Sequence, residues 1–481
     1  MKFVPLFLIV LICTLQPTHA QQRSNYTPLI EAGACPIKVD SSLPFRCGYL
    51  VVPENRKSHN GKTIKLPFVI ALSKNPDKKK DPLLFTTGGP GGSSLDWATG
   101  AAHHSPTLTR DCIAFEQRGT RYALPNLSGN ELSDAIKESY RKNLNKDSMV
   151  LEGVRRYKKA LEAKGIDLSG YNTDETVADI QDLLTVLHID SVNLLGISYS
   201  GGLMLAVLQK DPSRIRSLIL DSPLPTFVPI DEDEPANFNE ALDILFGHVE
   251  KDSADKEKYG HLKERFQQYF TSIGRKIFSI PYVEKGTTDT LHIQYTRNEL
   301  LDVIESNMFN ILRIKNVPSI IIDMINGNHY SYIKRSLDGL FEGDNGPSGM
   351  RMSVYCADQT AYHDENVIHQ LSNAYPWMEG YHINDVYKAM CDCWPVPPIN
   401  PATKHPFYSQ KPALLADGQF DPACRPLYID RIHHYMPNSQ RFLFLNYSHG
   451  VGGTDMEHFM QSFLDNPYKK IESGNKDIIA Y

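Results

Sequence analysis

The sequence predicts an α/β fold: an eight-stranded, mostly parallel sheet wound with helices and carrying a mainly helical cap insertion. Three observations carry that expectation. Short apolar runs with strand character recur along the chain, and amphipathic helical patterns fall between the later ones. About 190 residues separate the sixth run from the seventh, far more than a crossover connection needs. At 481 residues the chain also exceeds one ordinary core, so a large domain with an insertion, or two domains, is expected.

Met1-Lys2, an apolar run from Phe3 to Leu15, and Thr18-His19-Ala20 ahead of Gln21 read as a signal peptide over residues 1–20. Its apolar run is too short to span a bilayer, and no later stretch approaches 18 uninterrupted apolar residues. The mature protein is therefore expected to be secreted or periplasmic, without stable membrane insertion. Two opening strands follow, at 48–52 and at the alternating Ile64, Leu66, Phe68, Ile70 and Leu72. Pro67 cannot donate to a ladder, which argues for a place near a sheet edge. Further strands are expected at 83–85, 112–115, 192–195, 217–220, 413–416 and 441–445. Val177, Ile180, Leu183, Leu184 and Leu187 recur at helical spacing, as do stretches at 237–249 and 262–273. The organisation is then 1–20 signal peptide, 21–225 first part of the sheet domain, 226–405 cap, and 406–481 second part.

Charge and cysteine content narrow the class. Removing residues 1–20 takes away Lys2 and no acid, so the formal charge moves from −6 to −7. That balance gives no sign of nucleic-acid binding. Seven cysteines remain after export, and an oxidising compartment should pair some of them. Proximity in sequence favours Cys35 with Cys47, and Cys356 with Cys391 or Cys393. Cys391-Asp392-Cys393 is too closely spaced for the usual zinc pair and has no histidine at ligand spacing, so no metal is expected. No dinucleotide fingerprint with its ribose-binding acid is present, and no cofactor is expected.

The chemistry concentrates at strand ends. Gly196-Ile197-Ser198-Tyr199-Ser200-Gly201-Gly202 joins an apolar strand to an apolar helix that closes at Asp211-Pro212. A serine on so tight a turn projects its hydroxyl above a helix N-terminus, and the stretch resembles the nucleophile elbow of an α/β-hydrolase, with Ser200 in place of the last glycine. The seventh strand runs into Asp417-Gly418-Gln419-Phe420-Asp421-Pro422, and the eighth into Asn446-Tyr447-Ser448-His449-Gly450. Ser198, Asp421, His449 is the chain order this fold uses, with Asp417 as the rival acid. Gly88-Gly89-Pro90-Gly91-Gly92 supplies a loop whose backbone can face a cavity, so the N–H groups of Gly89 and Tyr199 are the expected oxyanion donors.

These motifs resemble the secreted tripeptidyl-aminopeptidase and proline iminopeptidase branch of the α/β-hydrolases, peptidase family S33. Gly88–Gly92 looks like that group's His-Gly-Gly-Pro-Gly loop with Thr87 for the histidine, and Glu116-Gln117-Arg118-Gly119-Thr120 resembles its Asp-Gln-Arg-Gly strand end. Gly418–Pro422 is similar to its acid turn, with Cys424-Arg425 where Thr-Pro is usual. The resemblance covers residues 35–465, least in the cap, and extends to a TAP-like C-terminal region. It implies a serine aminopeptidase acting on peptides with free N-termini, and carboxylates from the cap to hold the substrate ammonium. Asp231, Glu232, Asp233 and Glu234 are the candidates, with Asp358 as another. A carboxylesterase or lipase with the same triad is the alternative, and a non-catalytic binding protein on the same scaffold a further one.

Overall fold

The computed structural model describes residues 26–39, 42–58, 60–343 and 348–481, so the predicted signal peptide lies outside the described residues. The strands in the first half of the chain are β1 (Leu29–Glu31), β2 (Phe45–Pro53), β3 (Thr63–Ala71), β4 (Leu83–Thr86), β5 (Cys112–Phe115), β6 (Val192–Ile197) and β7 (Ile215–Asp221). Those in the second half are β8 (Phe278–Val283), β9 (Thr290–Tyr295), β10 (Ala413–Gly418), β11 (Ser439–Phe444) and β12 (Ile478–Ala480). Ten of them form one sheet in the order β1-β2-β3-β5-β4-β6-β7-β10-β11-β12. From β5 to β11 every pairing is parallel. All eight predicted strands are present in it. The two additions, β1 and β12, are three-residue antiparallel edge strands, too short to leave a periodic pattern.

The central strands are apolar throughout because both faces are covered. β4, β5 and β10 are buried at every position. On one face the helices Thr173–Val186, Tyr199–Lys210 and Leu427–Tyr435 pack Leu183, Leu203 and Ile429 against Leu84, Leu194 and Leu415. On the other, Phe459 and Phe463 of the helix Thr454–Asp465 meet Phe85, Ile219 and Phe442. Pro67 lies near the sheet edge, in the third of its ten strands, but not on an edge strand. β3 pairs with β2 along its length and with β5 on its other side. The Pro67 carbonyl accepts from Glu116 N–H, just past the end of β5, so its donorless nitrogen faces the side where that pairing has stopped.

Between β7 and β10 lies the expected mainly helical segment, which also contains the β8–β9 hairpin. It carries a core of its own, in which Phe238, Leu245, Phe246, Phe266, Phe270, Ile293, Leu300 and Ile304 are buried together. Phe420 joins that core from the loop after β10. Disulfides link Cys35 to Cys47 and Cys356 to Cys391, while Cys112, Cys393 and Cys424 are free. Among the described residues no helix is long and apolar enough to cross a membrane.

Candidate active site

The turn after β6 is built from close approaches. A Cβ on Gly196 would lie 2.4 Å from the Ser200 carbonyl, and one on Gly202 would lie 2.2 Å from the Leu224 carbonyl. Small residues are therefore required to bring strand and helix together. Ser200 is more than a tolerated substitute: its hydroxyl donates to Thr86 O (2.6 Å) and accepts from Ile197 N–H (2.9 Å), stitching the helix start to β4 and β6. Ser198 itself has φ +58° and ψ −127°. Such a conformation costs a non-glycine residue about 1–3 kcal/mol and persists only when its surroundings enforce it. Here Ser198 N–H donates to Asp221 O (3.0 Å), while Ser198 O accepts from Leu224 N–H (3.0 Å) and Gly201 N–H (2.9 Å).

Asp421 and His449 meet above the sheet. His449 Nδ1 lies 2.6 Å from Asp421 Oδ2, and Asp421 Oδ1 accepts from the N–H groups of Ala423 and Cys424, each at 2.9 Å. The Arg425 guanidinium braces the same loop, donating to the carbonyls of Gln419 (2.8 Å) and Asp421 (3.0 Å). Asp417 makes no such contact with His449. It is fully buried, its Oδ1 accepts from Gly418 N–H, and its Oδ2 has no partner. Burial, then the neighbouring carboxylates Asp421 and Asp221, push its pKa well up. Burial opposes a charge on His449, but Asp421, with a further contribution from Asp221, outweighs it and raises the imidazole above its ordinary value. With Nδ1 held by Asp421, Nε2 is the nitrogen left for chemistry. The Phe309 ring stands edge-on to the imidazole at 5.4 Å between centroids.

Ser198 and His449 open on one cavity of about 570 Å³, whose wall includes Gly88 and Gly89. Gly88 passes so near that a Cβ there would sit 2.7 Å from Ser198 Cβ, and Gly89 has φ +117°. The buried Glu116 carboxylate gathers the end of this loop, accepting from Ser93 Oγ (3.0 Å), Ser94 N–H (2.9 Å) and Tyr122 N–H (3.1 Å). Gln117 Nε2 donates to Thr87 O at 2.7 Å. Tyr199 is the first residue of its helix, where the N–H has no intrahelical acceptor and the helix dipole favours negative charge.

Of the five residues expected to hold an ammonium, only Glu234 lines this cavity. Asp231 Oδ1 accepts from Tyr355 OH and its Oδ2 meets His363 Nδ1, both at 2.6 Å, beside an adjoining cavity of about 370 Å³. Glu232 accepts from Asp364 N–H, and Asp233 from Tyr428 OH and Arg431. Asp358 accepts from Thr173 Oγ1, whose other contact is Tyr199 OH, beneath the nucleophile turn. The acidic run opens the helix Ile230–Lys251, so successive side chains leave it about 100° apart and cannot share one face. Two cavity residues left no sequence signal: Glu305, on the helix Arg297–Met308, and Arg351. Arg351 Nη1 donates to Gly89 O (2.5 Å) and its Nε to Asp385 Oδ1 (2.7 Å). Burial, with Asp302 and Asp385, raises Glu305 to about 8, and burial, with Asp231 and Glu305, raises Glu234 well above a normal carboxyl. Among the described residues no group of three or more His, Cys, Asp or Glu is placed to hold a metal ion.

Solved structures similar to the chain include a serine hydrolase from Cycloclasticus zankles (14% identity over 88% of this chain and 100% of that one, TM-score 0.36). They also include a thermophilic esterase from Thermogutta terrifontis (13% identity, 85% and 96%, TM-score 0.37). A bromoperoxidase from Bacillus anthracis is another (13% identity, 86% and 98%, TM-score 0.37). No curated protein matches the chain. Residues 81–243 match the family described as alpha/beta hydrolase fold, and residues 378–470 the family described as TAP-like protein. The first region holds Ser198 and the Gly88–Gly92 loop, the second Asp421 and His449, and the cap core between 244 and 377 is matched by neither. Because the two matched regions are those that supply the parallel sheet and its strand-end loops, the chain has an α/β-hydrolase fold, and its C-terminal region is similar to the TAP-like family.

Proposed function

We propose that this hydrolase is a secreted serine exopeptidase that releases N-terminal residues or short peptides by acyl transfer. One observation supports the aminopeptidase reading above the rest. Glu234 and Glu305 face the cavity that holds Ser198, while its guanidinium, Arg351, is engaged by Asp385 and the Gly89 carbonyl. A substrate ammonium supplies the missing positive charge, and its arrival favours ionisation of both carboxyls.

In this mechanism His449 Nε2 takes the proton of Ser198 Oγ as that oxygen bonds to the scissile carbonyl carbon. The carbonyl oxygen becomes an oxyanion facing the N–H groups of Gly89 and Tyr199. Asp421 orients the imidazole and stabilises its cation. The tetrahedral intermediate collapses as the C–N bond breaks and His449 returns the proton to the leaving amine. Water then repeats the sequence on the acyl-enzyme, releasing the acid and free Ser198.

The test is hydrolysis of Pro-, Ala- and Ala-Ala-Pro-type amides by residues 21–481, each with a free and an acetylated N-terminus, beside a short acyl ester. Ser198→Ala should remove activity without changing thermal unfolding. Glu234→Gln and Glu305→Gln should each raise KM for free-amine substrates by about tenfold or more and leave acetylated ones untouched. Equal or better turnover of blocked amides and esters would instead make the protein a carboxylesterase or lipase. Failure of a serine-directed phosphonate to label Ser198 would leave a non-catalytic scaffold.

A further inference from the structure

Asp221 ends β7, on the strand next to β6 and β10, and contacts both halves of the candidate site with different atoms. Its backbone carbonyl accepts the N–H of Ser198 at 3.0 Å, inside the positive-φ turn. Its carboxylate accepts the N–H of Val451, two residues past His449, at 3.0 Å on Oδ1 and 3.1 Å on Oδ2. Ser222 extends the contact: its Oγ accepts Gly450 N–H (2.9 Å) and donates to Asp221 Oδ1 (3.1 Å), while its own N–H is tied to Ala416 O on β10 (2.8 Å). Leu224 N–H completes the grip on Ser198 O. A loop held at its carboxyl side by two adjacent N–H groups has little freedom to swing its histidine. We propose that Asp221 is a positioning residue, whose carbonyl fixes the turn bearing Ser198 and whose carboxylate fixes the loop bearing His449.

This role rests on the reading of Ser198, His449 and Asp421 as the reacting set, and it goes beyond that set. A buried carboxylate used only for structure would be replaceable by any neutral acceptor of the same shape. The Asp221 carboxylate also helps to raise the His449 pKa through space. The titratable groups around His449 are Asp421 and Asp221, and those around Asp221 are His449, Asp421 and Asp417. Of these, Asp417 has its pKa pushed well up by burial and Asp421 is hydrogen-bonded to the imidazole, which makes Asp221 the second acidic neighbour that raises His449. Burial raises Asp221 to about 6, and its carboxylate supports the protonated form of His449.

Asp221→Asn keeps the shape and an oxygen for Val451 N–H but removes the charge. The expected result is kcat lower by about tenfold or more with KM little changed, and an acidic limb of kcat/KM displaced to lower pH, because His449 loses a neighbour that raised its pKa. Thermal unfolding and phosphonate titration of Ser198 count the folded sites in wild type and variant. If wild type is not labelled, the hydrolytic reading itself has failed. If wild type is labelled and Asp221→Asn has unchanged kcat and an unmoved acidic limb, only the role of Asp221 is overturned. Should that variant not fold, Ser222→Ala decides, since it removes the acceptor of Gly450 N–H and the donor to Asp221 Oδ1 while leaving the Asp221 carboxylate in place: lower kcat at unchanged KM supports the coupling, and wild-type kcat overturns it.

Discussion

Asp221 ends β7, Asp417 lies near the end of β10 and Asp421 in the loop after it, all buried, and burial together with like charge raises the pKa values of Asp221 and Asp417. Asp421 is served by two backbone N–H groups and His449. Asp417 has one N–H and an unpartnered oxygen, and burial pushes its pKa well up. Its pKa is thus raised on folding above the ~3.9 of an unfolded aspartate. The stability it contributes is complete below that unfolded value. It is lost as pH climbs toward the folded value, at about 1.4 kcal/mol per pH unit, because the unfolded chain releases a proton that the folded one retains. Asp417→Asn cannot ionise and removes that decline. Its Tm relative to wild type should therefore be near zero or negative at pH 4 and positive at pH 8. A Tm difference independent of pH would mean that Asp417 is ionised in the folded protein.

At the scale of elements, two glycines in helices have opposite requirements. Alanine exceeds glycine by about 1 kcal/mol in helix propensity wherever space allows. At Gly247, within Ile230–Lys251, no atom lies within 4 Å of an added Cβ, so Gly247→Ala should stabilise by about that amount. At Gly202, in the first turn after Ser198, the Cβ would stand 2.2 Å from the Leu224 carbonyl. Backbone cannot yield as a flexible side chain can, so the clash exceeds the propensity gain and Gly202→Ala should destabilise by about 1–3 kcal/mol. Urea midpoints at constant m-value measure both signs. A stabilised Gly202→Ala would mean that the helix does not approach the 223–226 turn as closely as described.

The whole molecule joins two cores across the candidate site. The sheet supplies Ser198, Asp421 and His449, while Glu234, Glu305, Phe309 and Arg351 come from the segment with its own apolar cluster. Ties bind them near the chemistry: Arg351 to the Gly89 carbonyl, Ser448 Oγ to the Met308 carbonyl, and Asp358 through Thr173 to Tyr199. The Cys356–Cys391 disulfide, spanning 35 residues, fixes the turn that carries Asp358. A loop of that length is worth about 3–4 kcal/mol in the chain-entropy account. Cys356→Ser with Cys391→Ser should lower unfolding stability by that order, and an unchanged Tm would show the bridge to be dispensable.

Much of the frame was legible because its signals are local. A strand leaves an apolar run of four to six residues, a turn leaves glycines and aspartates, and parallel winding places the loops after β6, β10 and β11 on one face. Residues 196–202, 417–422 and 446–450 could therefore be assigned to strand ends before any contact was known. Edge strands of three residues, and the pairing side of Pro67, lie below that resolution. The choice between Asp417 and Asp421 needed the path of one loop, which turns Asp421 onto His449 and buries Asp417 in the sheet. The cavity's carboxylates needed still more. Which member of the run 231–234 faces Ser198 depends on the rotation of one helix, and Glu305 arrives from a distant one. Local periodicity determines elements and their ends; how separate elements are rotated and packed against one another is set by long-range contacts, and those placed Glu234, Glu305 and Arg351 around Ser198.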